Sequence, residues 1–342
     1  MAQPNLSYFS QRNVLIKAQP TLDTDPTPAP ATDGFRLFDS KSAVADDTVE
    51  LPVDKSYLGA DDFAKANPRG TVEGDFEIYP PANPGTGDAY CGRILLPSGW
   101  GVTKDAGAKV TRYSPVSEDI PMVAIRNNHS GIYMNLLNAR GTTSALTFEI
   151  GKRVSGHVLL QGDYDVITSQ AFPTGVVLPA VDSHILTEKN TVCLISTEAG
   201  DYGPTPTVSD PLDELHVWAK SLVIDTGMGL QKEAYTEHAE NNFDGRKGAF
   251  TLVLAKTDID GDFNPFWCKD MGVMIRIAFY AYRSNAKDGL YTMGYARGKI
   301  ESVEETDNQG KYGWTIKGRC LGTETNAGGD QYGLEFGDAS EP

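Results

Sequence analysis

The sequence predicts a mainly β protein: two tandem β-sandwich or half-barrel domains, each with one short helix, behind an extended N-terminal arm. Three observations point there. Glycine (35 residues) and proline (20) are spread throughout, and the apolar segments between them are short and rich in Val, Ile, Thr, Tyr and Phe, as antiparallel strands require. Helical spacing is scarce. Finally, one set of short motifs occurs twice in the same order.

In the first half Gly74-Asp75-Phe76-Glu77-Ile78-Tyr79 is followed by Tyr90-Cys91, Ala139-Arg140-Gly141 and a glycine-flanked run from Gly156 to Gly162. In the second half Gly248-Ala249-Phe250-Thr251-Leu252-Val253 is followed by Trp267-Cys268, Ala296-Arg297-Gly298 and a run from Gly313 to Gly318. The steps from arginine to last glycine are nearly equal. A chain of two like units is suited to a ring or layer with pseudo-symmetry.

Taken in order, Arg12–Lys17 reads as a short strand, and the prolines at 20, 26, 28 and 30 hold the next segment extended and without ladder donors. Residues 1–33 are therefore expected to be an arm lying on something else, removable to residue 31 without unfolding the rest. Strands are predicted in the first unit at Thr71–Tyr79, Lys109–Tyr113, Pro121–Arg126, Ile132–Ala139, Ala145–Ile150 and Val154–Tyr164. In the last of these Val154, Gly156, Val158 and Leu160 alternate with Ser155, His157, Leu159 and Gln161. A helix is predicted over Asp88–Leu96, capped by Thr86 or Asp88 and stopped by Pro97 and Gly99, with a shorter counterpart around Asn264–Asp270. Second-unit strands are predicted at Thr191–Ser196, Leu215–Asp225, Gly248–Lys256, Val273–Tyr282, Leu290–Arg297, Lys299–Val303 and Tyr312–Cys320. Pro173, Gly175 and Pro179 mark the junction, which gives an arm (1–33), a first domain (34–170), a linker (171–189) and a second domain (190–342).

At 342 residues each domain can bury a core without disulfides or metals, and 40% hydrophobic with 22% charged residues is an ordinary globular composition. No apolar run reaches the roughly 18 residues a bilayer crossing needs, and Met1-Ala2-Gln3-Pro4-Asn5 lacks a signal pattern, so the chain is expected to stay where it is made, without membrane contact. Cys91, Cys193, Cys268 and Cys320 are far apart with no C-x-x-C pair, which predicts buried free thiols. A net charge of −16 excludes a surface that grips nucleic acid and suits one that repels it.

Chemistry-bearing motifs are few. Asp258-Ile259-Asp260-Gly261-Asp262-Phe263-Asn264 resembles a calcium loop, but position twelve is Lys269 where a bidentate Glu is needed, so a solvated acidic loop is expected and no metal. The five histidines form no H-E-x-x-H or H-x-H pair, and the chain has no G-x-S-x-G elbow, phosphate loop or dinucleotide glycine pattern; neither enzyme chemistry nor a cofactor is expected. Arg140 and Arg297 stand alike in the repeat. Either each is a solvated residue at a strand end where glycine supplies an unusual backbone angle, or each reaches a carboxylate on a neighbouring unit, for which arginine is preferred over lysine.

The Pro-Thr-Pro-Ala-Pro arm, Arg69–Phe76, Gly85-Thr86-Gly87-Asp88-Ala89-Tyr90 opening a helix that ends at Pro97-Ser98-Gly99-Trp100, Thr111-Arg112-Tyr113-Ser114-Pro115-Val116-Ser117, Asn138-Ala139-Arg140-Gly141-Thr142 and Gly156–Tyr164 follow one another. In that order they resemble the major tail tube proteins of long-tailed bacteriophages. The likeness spans about residues 12 to 170, and reaches the second unit only through the repeat.

The resemblance implies two tail-tube-type domains whose inner strands join neighbouring domains into a β-barrel around a channel. Three chains would make a pseudo-sixfold ring, or six if the second unit were an outer decoration, and rings would stack through the arm and the loop at Asp39–Lys55. It implies a structural virion protein, assembled in the host cytoplasm, with itself, a tape measure protein and a tail terminator as partners. Duplex DNA would pass without specific binding along a lumen lined by Asp, Glu and small polar residues. Contact residues expected between subunits are Arg12, Leu15, Pro26 and Pro28 of the arm, with Arg140 and Arg297. The alternative is a two-domain β-sandwich module for carbohydrate or a receptor at a tail tip, for which Trp100, Trp218, Trp267 and Trp314 are available, Trp267 and Trp314 being better explained as core.

Overall fold

Each half of the chain builds six strands in the same spatial order. A computed structural model describes residues 12–51, 62–129, 132–164, 168–169, 173–178, 184–197, 215–234, 239–255, 263–308, 311–322 and 330–339. The first half comprises β1 (Arg12–Gln19), β2 (Gly34–Phe35), β3 (Phe38–Leu51), β4 (Asp62–Glu77), β5 (Trp100–Asp105), β6 (Val110–Pro115), β7 (Met122–His129), β8 (Ile132–Glu149), β9 (Ser155–Tyr164) and β10 (Thr168–Ser169). Antiparallel pairing orders six of them β1-β7-β8-β9-β4-β3.

The second half comprises β11 (Thr191–Thr197), β12 (Leu215–Val217), β13 (Ala219–Asp225), β14 (Met228–Ala234), β15 (Ala239–Arg246), β16 (Ala249–Ala255), β17 (Met274–Tyr282), β18 (Leu290–Asn308), β19 (Lys311–Cys320) and β20 (Tyr332–Asp338). Its order is β11-β17-β18-β19-β16-β13. The likeness extends to small features. β2 lies on β1 as β12 lies on β11, and the long β3–β4 hairpin is matched by β13–β16 continued as β14–β15.

The helices α1 (Pro30–Asp33), α2 (Gly92–Leu95) and α3 (Pro265–Asp270) are short, and α2 and α3 occupy the same place in their halves. The second lies where the sequence places it, around Asn264–Asp270, but the first is shorter than expected. α2 starts only at Gly92, Cys91 in the capping position makes no side-chain cap, and the chain tightens into a 3-10 turn at Leu96–Ser98. In α3 the Asn264 side chain accepts from the Trp267 N–H and Pro265 takes the first turn, so the second helix is the longer one.

The two halves meet strand to strand. The end of β8 pairs with β13 from Glu149 opposite Ser221 to Ala145 opposite Asp225. Eight strands thereby run as one antiparallel strip, β3-β4-β9-β8-β13-β16-β19-β18. Strict alternation sends one side chain of each pair inward: Val72 and Phe76 from β4, Val158 and Leu160 from β9, Leu146 and Phe148 from β8, Leu222 and Ile224 from β13, and Phe250, Leu252 and Leu254 from β16 are all fully buried or nearly so.

A second layer closes the core. Phe279 of β17 meets Phe148 at 5.7 Å between ring centroids, and β20 lies between β18 and β6, bringing the end of the chain back onto the first half. There Tyr332 packs edge-on to Trp100 at 5.6 Å and Phe336 edge-on to Tyr113 at 5.8 Å. One hydrophobic cluster therefore runs through both halves.

Three local readings are revised by this structure. β8 and β18 pass unbroken through Ala139-Arg140-Gly141 and Ala296-Arg297-Gly298, each joining two predicted strands. The glycines there serve close approach and not an unusual angle: a Cβ on Gly298 would lie 2.0 Å from the Arg319 carbonyl oxygen, and one on Gly141 2.6 Å from Leu160. The repeat also changes register past the arginines. Gly141 faces Leu160 and Gly298 faces Cys320, so the counterpart of Gly162 is Gly322 and not Gly318. Finally, Arg12–Gln19 is an integral strand whose Val14, Leu15 and Ile16 are buried and which pairs with β7 along its whole length, so removal of residues 1–31 would strip the sheet.

Candidate assembly surface

The strip has an open face, made by the residues between the buried ones. It carries Glu73, Asp75 and Glu77 from β4, Glu149 from β8, Asp163 from β9, Asp225 from β13 and Glu304 from β18, against Lys41 from β3, Arg69 from β4, Lys299 from β18 and Lys317 and Arg319 from β19. Lys317 reaches Glu304 at 3.0 Å, Arg319 reaches Glu301 at 3.0 Å, and His157 lies 2.7 Å from Asp75. Solvated pairs of this kind add little stability, and acids outnumber bases across the face. Two of those acids are also paired from outside the strip, Glu77 with Arg153 and Glu149 with Lys152 at 2.8 Å.

The strip also has two ends. β3 pairs with β4 alone, and the part of β18 beyond Glu301 pairs with β19 alone, among the described residues. At the β3 end Phe38 and Val44 are among the exposed large apolar side chains, and Lys41 reaches back to Glu73 at 3.5 Å. At the other end lie Ser302, Val303, Glu304 and Glu305.

The residues singled out from sequence fall in three places. Arg12 and Leu15 stand on β1, opposite His129 and Arg126, with Leu15 only 4% exposed. Pro26 and Pro28 belong to a segment folded back over β7 and β8 of the same chain. Asp25 takes the Arg126 guanidinium at 2.9 Å and the Pro28 carbonyl accepts from it at 3.4 Å. Asn138 ties that segment down. Its side-chain oxygen accepts from Gln19 Nε2 (2.7 Å) and the Asp23 N–H (2.9 Å), its Nδ2 donates to Asp23 and Asp163, and its own N–H donates to Gln19. The backbone there has φ +51°, which asparagine tolerates better than most residues.

Arg140 and Arg297 do occupy equivalent positions. Arg140 is half-buried opposite Gln161, whereas Arg297 is 9% exposed, lies opposite Arg276 and donates to the Leu321 carbonyl at 2.7 Å. Arg297 lines a cleft of about 540 Å³ together with Arg112, Arg276, Tyr295, Asp330 and Glu335. Glu335, 7% exposed, accepts from Arg112 Nε at 2.5 Å and from the Tyr291 hydroxyl at 2.7 Å. Sequence reading missed this cluster because β20 has no polar face to betray it: all of Tyr332–Gly337 is buried.

A larger cavity, about 750 Å³, lies between β1, α2 and the Tyr79–Pro81 turn, with Tyr79, Tyr90 and Tyr113 in its wall. The Tyr90 hydroxyl is already engaged, accepting from the Arg36 N–H and donating to the Gly34 carbonyl. Of the four tryptophans, Trp100 and Trp314 are buried, Trp267 packs against the core, and Trp218 stands 85% exposed beside a recess of about 340 Å³ lined also by Glu188, His216 and Lys287.

All four cysteines are buried and free, and burial pushes the thiols of Cys91, Cys268 and Cys320 up to about 12, which makes them poor nucleophiles. Among the described residues no three His, Cys, Asp or Glu side chains converge to hold a metal, and no helix is long and apolar enough to cross a membrane. Asp258, Asp260 and Asp262 lie outside the described residues, as do residues 52–61 and, within the expected linker, residues 171–172 and 179–183. No family model matches the chain, and no curated protein matches its sequence.

Proposed function

We propose that the protein is a structural subunit that polymerises into the tail tube of a long-tailed bacteriophage, as stacked rings through which DNA passes. The observation that carries this reading is the internal repeat: two units of the same strand order stand side by side in one continuous strip. A strip of repeating units continues naturally into a closed wall, which removes the strand edges that an isolated sheet leaves open. The chain's net charge of −16 supports it too, since a bore must not hold duplex DNA if the DNA is to slide without sticking. In this reading three chains make a pseudo-sixfold ring. The long hairpins β3–β4 and β14–β15 are the natural contacts between rings, and a tape measure protein and a tail terminator are the other partners.

A second reading, a β-sandwich module for carbohydrate or a receptor, has one observation in its favour. Trp218 offers a bare aromatic face beside a polar recess, the arrangement on which sugars stack. Negative-stain microscopy of the concentrated protein separates the two. Rings or rods support the tube subunit; dispersed single particles that bind an immobilised glycan, and lose that binding on Trp218→Ala, support the module.

A further inference from the structure

The seam inside the chain is a template for a contact between chains. One step along the sequence relates Arg140 to Arg297 and also Ser144, the bulged residue of β8, to Glu301, the bulged residue of β18. That step makes Ala145 the counterpart of Ser302. Across the neighbouring strands, Thr143 faces Val158, which faces Gly74, while Ile300 faces Gly318, which faces Phe250. Glu73 is therefore the counterpart of Ala249. Since Asp225 pairs with Ala249 and Lys41 with Glu73, Lys41 of β3 is the counterpart of Asp225 of β13.

Within the chain Ala145 pairs with Asp225, but the equivalent partners Ser302 and Lys41 sit at opposite ends of the same strip. We infer that β18 of one copy pairs antiparallel with β3 of the next copy, with Ser302 opposite Lys41, so that the contact between copies repeats the β8–β13 seam. The inference deepens the reading of the chain as a self-assembling subunit and rests on it, but it is indifferent to what the assembly conducts.

Two further points select this partner. A two-fold contact between two β18 edges would set Glu301, Glu304 and Glu305 of one copy against the same residues of the other, and like charges facing each other across an antiparallel pair are destabilising. A β3 edge brings Lys41 to that edge instead, beside a single acid, Asp39, that the same register sets near Glu304. Lysine also guards lone edge strands against pairing; here, however, the guarded edge is the counterpart of one that is already paired in the same molecule. Both strands place Lys41 and Ser302 on the open face, because Lys41 pairs with Glu73 and Ser302 matches Ala145, which alternates with the buried Leu146.

Disulfide trapping tests this. The Lys41→Cys/Ser302→Cys double variant, oxidised under assembly conditions, is expected to give a non-reducing ladder of dimers and trimers carrying most of the chains, at least tenfold above either single variant. Ala145→Cys/Asp225→Cys, under the same oxidant, reports the template seam as an intrachain bond without a ladder. Rings or rods seen by microscopy with no ladder overturn the edge pairing and leave the tube reading standing. A ladder that grows without closing supports the pairing and removes the ring. Neither assemblies nor a ladder overturns both. Hydrogen exchange of the wild-type protein checks the contact without substitutions: amides of 302–305 and 41–44 must slow at least tenfold between dilute and assembled protein, and unchanged rates in assembled protein contradict the contact.

Discussion

Truncating Phe148 to alanine should loosen the seam between the halves, and the cost can be worked from its surroundings. Phe148 is fully buried on β8, where the strand leaves the first half and pairs with β13; its ring packs on Phe279, and a Cβ on Gly294 would lie 2.3 Å from it. Removing a ring of that size from a close-packed core costs about 3–5 kcal/mol. Gly294→Ala forces the opposite error, overpacking against the same ring, at about 1–3 kcal/mol. In the double variant the alanine methyl occupies part of the vacated space, so the combined loss should fall short of the sum by at least about 1 kcal/mol. Urea denaturation followed by tryptophan fluorescence gives all four stabilities. Two outcomes refute the packing account: losses that add within about 0.5 kcal/mol, or a Phe148→Ala protein within about 1 kcal/mol of wild type.

Three other expectations can be checked with the same assay. Asn138→Ala should lose about 2–3 kcal/mol and expose residues 20–30 to limited proteolysis, since it removes the bonds to Gln19, Asp23 and Asp163 at a left-handed backbone position; unchanged proteolysis would contradict that anchoring role. Glu335→Ala should cost about 1–3 kcal/mol by stranding the Tyr291 hydroxyl, and Arg112→Ala at least about 1 kcal/mol by leaving the nearly buried Glu335 carboxylate without its cation; a loss under about 0.5 kcal/mol for either would contradict the cluster's role. Stability should also fall at alkaline pH. Thiols held at about 12 in the folded chain stay protonated while those of the unfolded chain ionise, so their contribution is complete below about pH 9 and is lost as pH rises toward 12, by up to about 1.4 kcal/mol per thiol per pH unit. A denaturation midpoint flat from pH 8 to 11, or thiols that react with a disulfide reagent in the native protein, would contradict their burial.

Much of the architecture was legible because its signals are local. The alternation in Ser155–Tyr164 and Ala249–Ala255 reads directly as half-buried strands, and Asn264 followed by Pro265 marks a helix start. The pairing of Arg140 with Arg297 was legible because three identical residues recur in a row. What lay beyond was decided by contacts distant in sequence. Phe38–Leu51 is rich in Ser, Ala and Asp and reads as a loop, yet it is held as a strand by β4. Tyr332–Asp338 alternates apolar residues with glycine, and it is a strand because two others close around it; its glycines admit the rings of Tyr295 and Tyr291. The shift that separates Gly162 from Gly318 arises because the β18–β19 hairpin runs on to Asn308 opposite Lys311, whereas β8–β9 pairing ends at Thr147 opposite Ser155; the matching bulges cancel, and a hairpin's length leaves no trace in spacing. Of the assembly surface, the acid excess and the repeat were legible, but not which strands end the strip.

End-on class averages of the assembled protein, obtained by electron cryomicroscopy together with native mass spectrometry of single rings, test the central claim most directly. Six equal lobes around a hollow bore, built from three chains, are the predicted result. A solid particle, a ring in which the second half points away from the bore, or a stable monomer at every concentration would contradict it.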